Sequence, residues 1–331
     1  MFTRPILRLA AIASVLLAAA APAAAQFSSL TVFGDSLTDS GNNALVIGAD
    51  GTQVITGNTY IPPSRPYASG TYSNGATWVS SFAAGIGLAP SALPSLAGGG
   101  NYAFGGARTT IDGPEAGFPF SATTQLGGFL TSAPATLAGS GLYVIAIGGN
   151  DVRDTGAAVA AADPANAASI IGAAAAAYAT GVGNMVDALQ ARGAVSIVVW
   201  GVPDVGRSPA ALAGGPAVAG AATAISGAFN SALQARLAGE SFGVQYFDIA
   251  GVIGGVLASP GSFGFTNVTD ACGAVLGCDP STYLFWDGIH PTSAAQSLVA
   301  GAMLTAVPEP ASALLMALGV AGLMAARRRR G

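Results

Sequence analysis

The 331-residue chain contains one histidine, His290, within Asp287-Gly288-Ile289-His290-Pro291. Histidine is the side chain whose unperturbed pKa falls near neutrality, so His290 is the first candidate for any acid–base chemistry there. Asp287, three residues upstream, is placed to accept one ring N–H, fix the tautomer and stabilise the imidazolium that forms when the other ring nitrogen takes a proton. Such a pair activates a serine hydroxyl, a poor nucleophile until a base removes its proton. Ser36, in Gly34-Asp35-Ser36-Leu37, offers that hydroxyl. Attack on a carbonyl puts negative charge on its oxygen. The N–H groups of Ser36 and Gly106 and the side-chain amide of Asn150 are available to receive it. Losing one such donor typically costs about 2.7–4 kcal/mol in the barrier. One histidine and two cysteines do not make a metal ligand set.

These groups need elements that bring them together. Apolar runs at 30–33, 142–147, 195–200 and 244–247 read as buried strands, with a weaker one at 102–104. Ala-rich stretches at 165–192, 217–238 and 293–304 suit helices. In the last, Ala294, Ala295, Leu298, Val299, Ala302 and Met303 share a face, with Thr292 as N-cap after Pro291. Strands alternating with helices predict a parallel sheet covered on both faces. Three of the strand-like runs end in small-residue turns: Gly34-Asp35-Ser36-Leu37, Gly105-Gly106 and Gly148-Gly149-Asn150-Asp151. Ligands bind at the carboxyl ends of the strands in such sheets, so the three turns would meet at one edge. Residues 44–78 and 205–220, rich in Gly and Pro, read as long surface loops. Gly239-Glu240-Ser241-Phe242-Gly243 has the spacing of a nucleophile elbow, but that motif requires strand, turn, then helix. Here a helix-like stretch precedes and a strand-like one follows, so it reads as an ordinary turn.

The residues resemble those of the GDSL esterases and lipases, or SGNH hydrolases. Residues Phe33 to Asn42 resemble the family's first block, with Ser36 as nucleophile. Asn101 to Ala107 resembles the second, with Gly106 as oxyanion glycine. Gly148 to Asp151 resembles the third, with Asn150 as oxyanion amide, and Asp287 to His290 resembles the last, the acid and base. Arg65, Ser73-Asn74-Gly75 and Trp78 resemble a segment of the family's longer members. The resemblance implies a three-layer α/β/α sandwich on a mostly parallel, flavodoxin-like sheet, no cofactor, and an exported serine esterase or lipase working through an acyl-enzyme. Lipid esters and acetylated polysaccharide both fit as substrates. The alternative from another class is a non-catalytic surface or matrix protein that binds glycan on the same fold.

The two ends read as targeting signals. Residues 1–25 have a positive start, an apolar run and an Ala-x-Ala site, a secretory signal peptide. Residues 307–331 run Val-Pro-Glu-Pro, an apolar helix, then Arg327 to Arg330. They resemble the PEP-CTERM tail of Gram-negative bacteria, which implies a processing membrane peptidase, transient anchoring of the helix in the inner membrane, and a cell-surface or extracellular destination. The body between, 26–306, is expected to be one domain. It carries six arginines, no lysine and fifteen acidic residues, near −9 in all. Such a surface repels nucleic acid. Cys272 and Cys278, close together in an exported chain, are expected to form a disulfide.

Overall fold

A computed structural model describes residues 27–240 and 243–307. The signal-peptide residues, nearly all of the tail, and Ser241 with Phe242 of the elbow-like turn lie outside the described residues. In chain order the body contains β1 (Ser29–Gly34), α1 (Asn42–Ile47), α2 (Trp78–Gly85), α3 (Ala122–Ser132), β2 (Gly141–Ala146), α4 (Gly149–Ala161), α5 (Ala167–Ala191) and β3 (Ile197–Trp200). There follow α6 (Pro209–Ala213), α7 (Pro216–Leu237), β4 (Val244–Phe247), α8 (Ile249–Ala258), β5 (Asn267–Ala271), β6 (Tyr283–Phe285) and α9 (Ser293–Ala306).

The main sheet is parallel, in the order β1-β2-β3-β4. Residues 102–104, expected as a weak strand, form no full strand, though the segment from Gly100 pairs with the sheet. It runs parallel to the free edge of β1: Val32 N–H donates to Gly100 O at 2.9 Å, and Tyr102 N–H to Val32 O at 2.8 Å. Counting that segment, the order is 2-1-3-4-5, the flavodoxin-like arrangement. Side chains alternate across the sheet as the two-residue period of a strand requires. Phe33, Tyr143, Ile145, Ile197 and Val199 pack one core with α3, α4, α5 and α7. Leu30, Val32, Leu142, Val144, Val198 and Trp200 pack the other with α2, α8 and α9. The result is the expected three-layer α/β/α sandwich.

The long helix α5 is apolar and long enough to cross a bilayer by length and composition. Its Tyr178, Val182, Met185, Val186 and Leu189 are instead buried against the sheet. α9 starts as its sequence predicts, with Thr292 Oγ1 accepting from Ala295 N–H at 3.2 Å. Val307, assigned by sequence to the tail, packs into the body's core and donates its N–H to Met303 O.

The reading of 205–220 as a loop is corrected. It contains a short 3-10 turn (Val205–Arg207), α6 and the start of α7. Pro209 and Pro216 sit at helix starts, where a missing N–H costs nothing. Segment 44–78 begins inside α1, ends on the first residue of α2 and is irregular between.

Candidate active site

β1 ends at Gly34, and the next residues fold into a tight turn in which the N–H groups of Thr38 and Asp39 both donate to Asp35 O. Gly34 is pressed against β2: a Cβ there would lie 2.6 Å from Ala146 O. Gln125 of α3 clamps the same residue, accepting from Gly34 N–H and donating to Gly34 O, each at 2.9 Å. The turn projects Ser36 beyond the carboxyl end of the sheet. Ser36 caps no helix, since α1 begins only at Asn42.

His290 arrives from the loop between β6 and α9. Its Nε2 lies 2.8 Å from Ser36 Oγ, and its Nδ1 lies 2.7 Å from Asp287 Oδ2. Asp287 is fully buried. Its Oδ1 accepts the N–H groups of Ile289 and His290, both at 2.8 Å, and its Oδ2 also accepts the Tyr67 hydroxyl at 2.7 Å. Burying a carboxylate is costly unless it is hydrogen-bonded, and this one is bonded on both oxygens. The Tyr72 ring lies beside the imidazole, with centroids 5.5 Å apart.

Gly106 and Asn150 line the same cavity as Ser36 and His290. Neither the Ser36 N–H nor the Gly106 N–H donates to any acceptor among the described residues. Asn150 Nδ2 gives one N–H to Ala107 O at 2.9 Å, leaving its second, while Arg153 Nη1 sits 3.4 Å from Oδ1 and orients the amide. Gly106 has φ +83, a conformation that L side chains rarely adopt. Asn150 lies in the first turn of α4, whose N-terminal end adds positive potential. A serine–imidazole–carboxylate chain therefore shares one cavity with Gly106 and the Asn150 amide, an arrangement suited to acyl transfer.

Residues 30–303 match the GDSL-like lipase/acylhydrolase family. The chain belongs to that family. Esterase EstA of Pseudomonas aeruginosa is 36% identical over 120 residues, 31% of this chain and 18% of that protein. Lipase 1 of Photorhabdus luminescens is 34% identical over 185 residues, 55% of this chain and 23% of that one. A GDSL esterase/lipase of Arabidopsis thaliana is 27% identical over 315 residues, 82% of this chain and 87% of that one. The chain spans less than half the length of the bacterial relatives it matches. Residues 306–330 match the PEP-CTERM protein-sorting motif, which indicates export and sorting to the cell surface.

Two buried carboxylates of the GDSL turn tie its neighbours to it. Asp39 Oδ1 accepts from Gly41 and Asn42 N–H at 2.8 and 2.7 Å, and Oδ2 from Asn43 and Gly105 N–H at 3.2 and 3.0 Å. The last bond reaches the residue before Gly106. Asp35 accepts from Leu37 N–H at 3.0 Å and from Gly149 N–H, the residue before Asn150. Burial pushes both carboxyls up to about 6, against N–H donors that favour the ionised form. Asn42 and Asn43 complete the brace, donating to the carbonyls of Asn101, Ala103 and Gly105.

The GDSL fold also uses residues that the sequence does not single out. Tyr67, Gln125 and Gln296 are buried polar groups far along the chain from what they hold. Gln296 of α9 accepts from Trp78 N–H at 3.1 Å and donates to Leu37 O at 3.3 Å, bridging the start of α2 to the serine turn. Asn74 accepts from Ser293 N–H at 2.8 Å, and Ser73 donates to Pro291 O at 2.8 Å, so the 73–78 segment braces the His290 loop. Asp151 accepts from Thr109 N–H, a structural role. Cys272 and Cys278 form a disulfide, as expected, with Cα atoms 5.6 Å apart.

Proposed function

We propose that this domain hydrolyses carboxylic esters through an acyl-enzyme on Ser36. The observation that carries the reading is the continuous chain from Ser36 Oγ to His290 Nε2 at 2.8 Å and from His290 Nδ1 to Asp287 Oδ2 at 2.7 Å. His290 takes the Ser36 proton as Oγ bonds to the carbonyl carbon. Asp287 holds the ring with Nε2 toward the serine and stabilises the imidazolium. The Ser36 and Gly106 N–H groups and the free N–H of Asn150 receive the oxyanion. His290 then protonates the departing alcohol. A water, deprotonated by His290, releases the acid and restores Ser36.

The same proposal extends to processing. Residues 1–25 are removed on export as a signal peptide, 26–306 act as the catalytic domain, and the tail meets a processing peptidase while its helix contacts the inner membrane. The test is a panel of acyl esters of increasing chain length with Ser36→Ala and His290→Ala controls. Turnover lost in both variants supports the triad. Turnover that survives both overturns it, and the absence of turnover in the parent chain favours a glycan-binding protein on this fold.

A further inference from the structure

The cleft has two lobes that meet at Ser36, Asn150, Arg153, Ile289 and His290. One is small, about 80 Å³, and walled mainly by apolar side chains: Leu37, Val205, Ile253, Leu284, Phe285 and Ile289. A cavity of about 150 Å³ holds a benzene ring. This lobe therefore suits an acetyl to butyryl group and is small for a fatty acyl chain. The other lobe is open, about 560 Å³, within the roughly 300–1,000 Å³ typical of ligand sites. Phe118 lines it, a half-exposed flat ring against which the C–H face of a sugar can pack.

Charge separates the lobes further. The body is strongly acidic, yet three of its six arginines, Arg65, Arg108 and Arg153, line the open lobe. Arg108 is paired with Asp154 there. Elsewhere Arg207 and Arg236 are paired with carboxylates, and Arg192 donates to a fan of carbonyls including Ala135 O and Pro134 O. Arg65 and Arg153 form no ion pair among the described residues. Of the three body guanidiniums without an ion pair, Arg192 is taken up by backbone carbonyls, while Arg65 and Arg153 line this lobe, Arg153 with its Nη1 3.4 Å from the Asn150 side-chain oxygen. Glu115 and Asp154 also line it, so three cations stand against two anions.

Resting on the reading of Ser36 as nucleophile, we infer that the substrate is a short-acyl ester of an acidic carbohydrate. The acyl group occupies the apolar lobe and the anionic sugar the open one, with Arg65 and Arg153 as its charge partners. The bond between acyl carbon and sugar oxygen breaks, the sugar oxygen takes the proton from His290, and water supplies the oxygen of the released acid.

The experiment compares an O-acetylated polyuronate with the same polymer after its carboxylates are reduced to alcohols, alongside anionic phospholipid vesicles and p-nitrophenyl acetate. The expected result is a kcat/KM at least 10-fold higher on the acidic polymer than on the reduced one at low ionic strength. Salt should shrink that ratio as it screens the exposed charges. Arg153→Gln and Arg65→Gln should each lower the ratio several-fold, with Arg153→Lys retaining part of it. Equal rates on the two polymers, a ratio unmoved by both glutamine variants, or faster cleavage of the phospholipid would overturn the inference. Failure on p-nitrophenyl acetate as well would mark the Ser36 reading itself as the fault, and the inference would fall with it.

Discussion

Tyr67 donates its hydroxyl to Asp287 Oδ2 at 2.7 Å, the same oxygen that holds His290 Nδ1, across 220 residues of chain. Burial, reinforced by the Asp287 charge, pushes the Tyr67 phenol well above its ordinary range, so it stays a donor. Tyr67→Phe removes one hydrogen bond from a buried carboxylate, worth about 1.5–3 kcal/mol. We expect kcat to fall roughly 10- to 100-fold, following that energy at ~1.4 kcal/mol per decade, with KM little changed. Steady-state kinetics on a short-chain ester measure this, and an unchanged kcat would remove Tyr67 from the site's support.

In the proposed mechanism Asn150→Ala takes away a donor that acts only when charge builds on the oxygen. The expected loss is about 100- to 1,000-fold in kcat. Equal kcat in variant and parent would place the oxyanion elsewhere.

Asp35 and Asp39 give stability a defined pH dependence. Both titrate near 6 in the fold, against 3.8 ordinarily. Across roughly pH 4 to 6 the native state therefore keeps protons that the unfolded chain has released. Their contribution is full below that window and is lost as pH rises through about 6. Each amounts to at most about 3 kcal/mol at ~1.36 kcal/mol per pKa unit. Asp39→Asn removes the titration but offers one amide oxygen to four N–H donors. Urea denaturation at pH 4.5 and 7.5 should show a smaller fall with pH in the variant than in the parent. Its kcat should also drop, because Gly105 loses its anchor. Identical pH slopes would exclude Asp39 as the titrating group.

The disulfide closes a loop of only six positions between β5 and β6. So short a loop stabilises by at most about 2–3 kcal/mol. The Cys272→Ser, Cys278→Ser double variant should melt several degrees lower and keep its esterase activity at 25 °C. Calorimetry with a parallel ester assay checks both. Activity lost without loss of fold would tie the loop to the cleft.

The four strands and the three long helices were legible because burial imposes a local pattern, as in Leu142 to Ile147. Ser36, Gly106, Asn150 and His290 stand out in the sequence because each sits in a short block whose chemistry is local, and the fold brings them to one cavity. Tyr67, Gln125 and Gln296 were not, because a buried tyrosine or glutamine looks like any other until the chain brings its distant partner near. α4 was hidden by its Gly-Gly-Asn-Asp opening, which reads as a turn until its N–H groups are seen at the sheet edge. The helix expected at 217–238 is α7, but α6 was not legible, because a Gly- and Pro-rich composition reads as loop even where Pro209 begins a helix.

Covalent trapping tests most directly whether Ser36 carries the acyl group. A fluorophosphonate probe followed by intact-mass and peptide mass spectrometry should give one adduct, on Ser36. It should be absent in Ser36→Ala and strongly slowed in His290→Ala. An adduct on Ser241, or stoichiometric labelling that persists in Ser36→Ala, would contradict the account.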